Sequence, residues 1–402
     1  MAILNRSQLS DLRGGVRMAA DATDVIAGTV EKMHGTIQLR PAPLGVATSD
    51  RPKGIAGLVY RSVRGVARFI GKAVDIGLAP LAEFLPEGES SPSLDAYRSV
   101  ANGVYGDYLL RTRNPLAIEM SLRYRGQPLD LHDPTSVFRQ DRDVTSANKL
   151  LVLVHGLCMN DRQWNRDGHD HGAALADDLG YLPLYLRYNS GLPIASNGLA
   201  LAEMLETLVG NCSSPVEELA IVGHSMGGLV ARSACHHARA AGHKWPAHLR
   251  KLVFLGTPHH GAPLERGGHG LDQVMELSPY LAPFAHLSRA RSAGITDLRH
   301  GAVSADGKFV PLPSGVQSYA AAAVRAANRS MLSDRLIGDG LVPLDSALGR
   351  HRDTTRTLAI PEHRQWIGYR MGHRELLSHP KVYRQLSTWL QEPHSSQSID
   401  LR

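Results

Sequence analysis

The residues best suited to chemistry lie in the stretch "AIVGHSMGGLVARSA", residues 220–234, where Ser225 stands between glycines. An apolar run precedes the serine and a helical pattern follows it, which predicts a sharp strand-to-helix turn. Gly223 and Gly227 would remove side chains that otherwise clash between the strand and the helix. Ser225 is then either a nucleophile lifted into a site or part of a turn that only connects two elements.

A nucleophilic serine needs donors for the oxyanion that forms when it attacks a carbonyl. The helix that begins near Ser225 points its free N–H groups at the site, so the N–H of Met226 is one candidate donor. The loop "LVLVHGLCMND", residues 151–161, offers the N–H of Leu157 as the second. His155 ends the preceding strand, and we expect it to shape this loop rather than act as a base.

A serine also needs a base, and the base needs an acid that holds its tautomer. Downstream of Ser225 the segments "LIGDGLVPLDSA" and "YRMGHRELLSHP" follow strand-like stretches and offer Asp339 and His373. Asp345 is a rival acid inside a predicted helical turn, and His379 is a rival base beside Pro380. We expect Asp339 and His373, in the chain order serine, acid, histidine.

Short continuous apolar runs alternate with helical patterns through the middle of the chain. The runs lie at residues 149–156, 182–188, 218–224 and 249–256, and the helical segments between them lie at 171–179, 196–210 and 227–241. Apolar runs of this kind are typical of strands buried on both faces. The alternation predicts an α/β fold with a mostly parallel, doubly wound sheet and flanking helices.

The N-terminal region has a different character. Residues 1–112 form a predicted helical extension, with helices over 11–37 and 94–112. Between them a basic stripe, formed by Arg61, Arg64, Arg68 and Lys72, lies along one side of a predicted helix. That helix either packs on the main domain or contacts a membrane surface peripherally.

The division of the chain follows from these patterns. The α/β domain is predicted over residues 113–392, with a cap insertion at about 257–315 and a polar tail over 393–402. Met275, Leu277, Tyr280, Leu281, Phe284 and Leu287 would line an acyl pocket or pack the cap.

The charge and residue composition of the chain indicate which partners, compartment and cofactors to expect. Net charge is +6, and eleven Lys/Arg against six Asp/Glu place most of it in residues 1–80. Because basic clusters interleaved with aromatics are missing from the sequence, we expect no nucleic acid partner. The chain has three cysteines, which favours a reducing compartment. The sequence shows neither the apolar core of a signal peptide nor an apolar stretch long enough to span a membrane. We therefore expect a cytoplasmic protein. The pairs His169/His171 and His259/His260 lack a carboxylate framework, so no metal and no cofactor are expected.

The motifs "LVHGLCMND", "YNSG", "IVGHSMGGLVARSA", "LVFLGTPHHGAP", "GITDLRHG", "GDGLVP" and "GHRELLSHPKVYRQLSTWL" follow one another in this order. Over residues 115–392 the chain resembles the α/β-hydrolase superfamily, and more narrowly the bacterial lipase-like hydrolases related to the GPI inositol-deacylase group. The resemblance implies Ser225 as nucleophile, Asp339 as acid, His373 as base, and Leu157 and Met226 as oxyanion donors. It does not identify the substrate.

These observations together predict a serine hydrolase that cleaves carboxylic esters, of lipid or other acyl type, through an acyl-enzyme. Two alternatives stay open from the sequence. One is an acyltransferase that uses the same three residues, and the other is a membrane-associated protein with this fold and no turnover.

Overall fold

A computed structural model describes residues 5–38, 62, 65–66, 91–134, 148–212, 214–262, 292–326 and 338–393. Eight strands lie within these described residues. They are β1 (Ser121–Tyr124), β2 (Gln127–Pro128), β3 (Lys149–Val154), β4 (Leu182–Arg187), β5 (Glu218–His224), β6 (Leu249–Leu255), β7 (Gln317–Val324) and β8 (Gln365–Tyr369).

Helices flank these strands in sequence. They are α1 (Arg6–Gln38), α2 (Pro92–Arg111), α3 (His171–Leu179), α4 (Ile194–Asn211), α5 (Met226–Ala241), α6 (Ala293–His300), α7 (Leu344–Ala347) and α8 (Pro380–Gln391). The strands and helices predicted from the apolar runs are therefore confirmed to within a few residues.

The strands form one sheet in the order β2-β1-β4-β3-β5-β6-β7-β8. Strand β1 pairs antiparallel with β2 and β4, and every other neighbouring pair is parallel. The mostly parallel sheet with flanking helices confirms the predicted fold class. Because parallel strands point the same way, β3, β5, β6, β7 and β8 bring their carboxyl ends to one edge of the sheet.

The sheet is buried on both faces, which explains the continuous apolar runs. In β3, Leu150, Val152 and Val154 pack into the core on one face, while Leu151 and Leu153 pack into the core on the other. The two cores fix the register of β3, since a shift by one residue would exchange the faces.

The chain divides into two compact units. One is an α/β unit of Ser99–Tyr108 and Ile118–Arg402, and the other consists of Met1–Arg98 with Leu109–Ala117. In this other unit, Arg17 donates to the carbonyl oxygen of Thr112 at 2.8 Å. The boundary after residue 112 stays a prediction, and the structure adds that Ser99–Tyr108 of α2 groups with the α/β unit.

Several predictions of the sequence lie outside the described residues. The stripe of Arg61, Arg64, Arg68 and Lys72 is one of them, and so are residues 263–291 of the predicted cap and residues 394–402 of the predicted tail. Among the helices that are described, no segment combines the length and apolarity that a membrane crossing requires.

Candidate active site

Ser225 lies in the turn between β5 and α5. Its backbone has φ 53° and ψ −124°, in the left-handed half of φ space that non-glycine residues seldom adopt. The turn is fastened on both sides, because the N–H of Ser225 donates to the carbonyl oxygen of Leu255 at 2.8 Å and its own carbonyl oxygen accepts from Gly228 N–H at 3.1 Å. The sharp strand-to-helix turn predicted from the glycines is therefore present.

The glycines around Ser225 allow the strand and the helix to approach closely. A Cβ built on Gly223 would lie 2.5 Å from the Cα of Gly228. One built on Gly227 would lie 2.1 Å from the carbonyl oxygen of Val154. Both contacts are shorter than real Cβ atoms make with backbone, so the turn requires glycine at both positions.

Asp339 and His373 lie together at the same edge of the sheet. The Nδ1–H of His373 donates to Asp339 Oδ2 at 2.6 Å. The other carboxylate oxygen, Oδ1, accepts from the backbone N–H groups of Leu341 and Val342 at 2.9 and 2.8 Å. With 1% exposure, Asp339 has nearly no contact with water, and these three hydrogen bonds replace it at the carboxyl oxygens.

The rival residues have other roles. His379 stands at the N-terminus of α8, where its side chain accepts from the N–H of Lys381 at 3.1 Å. Asp345 lies in the short helix α7, as the sequence predicts. His155 is fully buried; its ring stacks on Tyr188, and its Nδ1–H donates to the carbonyl oxygen of Gly156 at 2.9 Å.

A pocket opens beside Ser225. Its described lining combines polar and basic side chains with apolar ones, and it comprises Gly156, Leu157, Cys158, Met159, Gln163, Asn165, Arg166, His224, Ser225, Pro258, Ala262, Leu298, Leu341, Val342, His373, Arg374 and Leu377. Ser225 and His373 therefore face one cavity, while Asp339 lies behind His373. Among the described residues, neither Ser225 Oγ nor His373 Nε2 makes a hydrogen bond.

The loop Gly156–Asn160, which we call the oxyanion loop after the role predicted for the N–H of Leu157, contributes four of its residues to the lining of this pocket. Its turn closes through a hydrogen bond of 3.3 Å from Met159 N–H to the carbonyl oxygen of Gly156. Cys158 adopts φ 59°, again in the left-handed region, and its N–H donates to Ser190 Oγ at 3.0 Å. Met226, which follows Ser225, is the first residue of α5, so its N–H has no acceptor inside the helix.

His224 was not singled out by the sequence, although it lies inside the motif of Ser225. Its Nε2–H donates to the carbonyl oxygen of His373 at 3.3 Å, and the two rings are 4.7 Å apart. Burial, with a further contribution from His373, holds the pKa of His224 well below its usual value. The ring is therefore neutral at pH 7 and adds no charge beside His373.

The four histidines considered as metal ligands are engaged elsewhere. His169 Nε2–H donates to His171 Nδ1 at 2.8 Å, and His171 Nε2–H donates to the carbonyl oxygen of Leu376 at 3.1 Å. His259 accepts from Arg232 at 3.3 Å, and His260 donates to the carbonyl oxygen of Gly349 at 3.1 Å. In the part of the chain that the structure describes, no group of three or more His, Cys, Asp or Glu could hold a metal ion.

Residues 147–306 match the family model described as the PGAP1-like alpha/beta domain. No curated protein matches the chain.

The solved structures similar to this chain include the three that follow. A lipase-esterase related protein of Clostridium acetobutylicum is 11% identical, covering 61% of this chain and 94% of its own, with a TM-score of 0.34. RedJ, a thioesterase of the prodiginine biosynthetic pathway in Streptomyces coelicolor, is 18% identical, covering 61% of this chain and 90% of its own, with a TM-score of 0.34. An esterase of Pyrococcus furiosus is 13% identical, covering 61% of this chain and 81% of its own, with a TM-score of 0.36. The mostly parallel sheet and the match of residues 147–306 to this family model are both in line with the resemblance inferred from the motifs.

Proposed function

We propose that the protein hydrolyses carboxylic esters through an acyl-enzyme on Ser225. The observation that carries this proposal is the hydrogen bond of 2.6 Å between His373 and Asp339, on the wall of the pocket that also contains Ser225. A buried acid behind a histidine, beside a serine in a strained turn, is the arrangement that activates a serine hydroxyl.

The reaction begins when Ser225 Oγ attacks the acyl carbon while His373 Nε2 takes the hydroxyl proton. His373 Nδ1–H keeps donating to Asp339, which stabilises the imidazolium and fixes the tautomer with its lone pair on Nε2. The tetrahedral intermediate then collapses, and His373 returns the proton to the leaving alkoxide. A water molecule repeats the sequence on the acyl-enzyme and releases the carboxylic acid. The Ser–His hydrogen bond would form as substrate enters, since such bonds are often long in empty sites.

Two backbone N–H groups would bind the oxyanion. The N–H of Met226 points from the start of α5, where the helix dipole also favours negative charge. The N–H of Leu157 would approach from the oxyanion loop on the other side of the pocket. A single donor of this kind contributes about 3–4 kcal/mol to stabilising the transition state in a well-studied protease.

Apolar residues in the lining of the pocket support an acyl chain as part of the substrate. They are Met159, Leu298, Leu341, Val342 and Leu377. Apolar side chains there would bind a hydrocarbon chain by removing it from water, at about 0.8 kcal/mol for each buried methylene. A series of p-nitrophenyl esters of increasing chain length, measured below and above the micellar threshold, would define the preferred acyl group.

Replacement of the nucleophile tests the proposal. We expect Ser225→Ala to lower kcat for p-nitrophenyl ester hydrolysis by about a thousandfold or more, because the covalent step is lost. Ser233→Ala is the matched control: this serine lies on the same helix, and its hydroxyl is buried without a hydrogen-bond partner in the described structure. It should retain the kcat of the natural protein.

Three results would change the assignment. If Ser225→Ala kept more than a few per cent of the activity, Ser225 would not be the nucleophile. If a fluorophosphonate probe failed to label Ser225, a protein without turnover would be favoured. If an added alcohol received the acyl group in preference to water, the enzyme would be an acyltransferase that uses the same residues.

A further inference from the structure

The oxyanion loop is in close contact with a helix far from it in sequence. A Cβ built on Gly103 of α2 would lie 2.3 Å from Cys158 Sγ and 3.0 Å from both Cys158 Cα and Cys158 N. Only glycine lets the helix come this near. The helix therefore packs directly against the residue that follows Leu157.

A second contact lies one turn earlier on the same helix. Asn160 Nδ2 donates to Ser99 Oγ at 3.0 Å, and both side chains are buried. The loop is thus held at two points, Cys158 and Asn160, which lie on either side of its closing residue, Met159. Buried hydrogen bonds of this kind cost free energy when one partner is removed.

The helix segment is itself anchored in the α/β unit. Ser292 Oγ donates to the carbonyl oxygen of Gly103 at 2.7 Å, and Asn189 Nδ2 donates to the carbonyl oxygen of Gly106 at 3.0 Å. Tyr105, with φ −125° and ψ 20°, interrupts the regular helix between these two carbonyls. A kink commonly frees carbonyl groups for partners outside the helix. The segment is therefore a fixed surface rather than a mobile one.

We infer that residues 99–108 of α2 position the oxyanion loop for catalysis, with Gly103 and Ser99 as positioning residues. This inference rests on the proposed function, because it takes the N–H of Leu157 as an oxyanion donor. Leu157 is joined directly to Cys158, so a displaced Cys158 turns the Leu157 peptide away from the oxyanion. The segment precedes residues 147–306, so a part of the chain outside the family match contributes to the site.

Gly103→Ala tests the inference in the full chain. We expect kcat for a p-nitrophenyl ester to fall about tenfold while KM stays within about twofold, since a displaced donor acts mainly in the transition state. Gly210→Ala is the matched control, because Gly210 is also helical and a Cβ there meets nothing within 4 Å. Thermal denaturation of both variants shows whether they fold.

A double-mutant cycle separates positioning from general damage. In a Cys158→Gly background the Sγ that lies 2.3 Å from the added methyl group is gone, and the remaining contacts of 3.0 Å with Cα and N need only a small shift, so we expect Gly103→Ala to lower kcat less than about threefold there. An equal loss in both backgrounds, or a rise in KM at unchanged kcat, overturns the inference.

Should Gly103→Ala fail to fold, Ser99→Ala takes its place. We expect this variant to lower kcat several-fold at unchanged KM, and Ser99→Thr to restore it by keeping the hydroxyl; no difference between the two overturns the inference.

Amide hydrogen exchange tests the contact without any need for activity. We expect Gly103→Ala to speed exchange in residues 156–160, and Gly210→Ala to leave it unchanged. Unchanged exchange in both variants overturns the inference even if the protein hydrolyses no ester. Faster exchange with an unaltered kcat also overturns it, because the loop would then be held by the helix without serving catalysis, while labelling of Ser225 would still support the proposed function.

Discussion

Strands β3 and β5 lie side by side, and each leads through a histidine into a tight turn. After His155, Cys158 adopts φ 59°; after His224, Ser225 adopts φ 53°. A non-glycine residue in the left-handed region costs free energy, so the surrounding structure must stabilise each turn. Because the nucleophile is proposed on one turn and an oxyanion donor on the other, both strained turns lie at the site.

The two turns differ in what stabilises them. The turn of Ser225 relies on Gly223 and Gly227, both within its own motif, which let strand and helix meet. The oxyanion loop relies on residues distant in sequence: Ser190 is 32 positions from Cys158, and Ser99 is 61 positions from Asn160. A local turn is determined once its strand and helix form, whereas the oxyanion loop also depends on docking of α2.

The largest effect that this comparison predicts is for Gly227→Ala. The added methyl group would overlap the carbonyl oxygen of Val154 at 2.1 Å, and backbone cannot move aside as a side chain can. We expect a loss of about 3 kcal/mol or more in the free energy of unfolding and at least about a hundredfold loss of kcat. Thermal denaturation and ester hydrolysis measure the two quantities.

The same variant also tests the contrast with Gly103. Truncation of a side chain should rescue Gly103→Ala, but no truncation should rescue Gly227→Ala, because its colliding atoms are the carbonyl oxygens of Val154 and His155. A Gly227→Ala protein with an unaltered melting temperature and more than a tenth of the natural kcat would show that the turn of Ser225 is as adaptable as the oxyanion loop.

The same difference explains what the sequence can predict. The strands are predictable because each is buried on both faces and reads as an apolar run, as "KLLVLV" does in β3. Ser225, Asp339 and His373 stand out because the proposed chemistry needs those three residue types, and the fold that the motifs resemble carries them in that chain order. Helix α2 is also predictable, but neither Ser99 nor Gly103 has a residue type or spacing that indicates Asn160 or Cys158 as its neighbour. Contacts between distant segments arise only when the chain packs.

Ser190→Ala probes the opposite side of the oxyanion loop, with a smaller expected effect. Without the Ser190 hydroxyl, the N–H of Cys158 loses its acceptor in a buried position, which costs about 1–3 kcal/mol. We expect the turn to shift in part of the molecules and kcat to fall about tenfold, with little change in KM.

A matched control for Ser190→Ala comes from the sheet itself. Ser318 in β7 is also buried, and its hydroxyl has no hydrogen-bond partner among the described residues. Ser318→Ala should therefore keep both stability and kcat. Equal behaviour of the two variants would mean that the hydroxyl of Ser190 does not hold the oxyanion loop.

Lowering the pH should reduce the free energy of unfolding through the two buried histidines that precede these turns. Burial lowers the pKa of His155 to about 3 and holds the pKa of His224 well below its usual value. In the unfolded chain both pKa values lie near about 6.5. As pH falls below 6.5, the unfolded chain binds protons that the folded chain does not, so the free energy of unfolding decreases, by up to about 1.4 kcal/mol per pH unit for each residue. Above pH 6.5 neither residue contributes a pH dependence.

Denaturant titrations between pH 7 and pH 5 measure this slope. His155→Gln and His224→Gln should each flatten it by about one proton, even where the substitution lowers stability at every pH. His236→Gln, at an exposed position of α5, is the control for the His-to-Gln substitution itself. A slope in either variant that equals that of the natural protein would mean that the histidine is protonated in the folded state, and that the strand end it occupies is open to water.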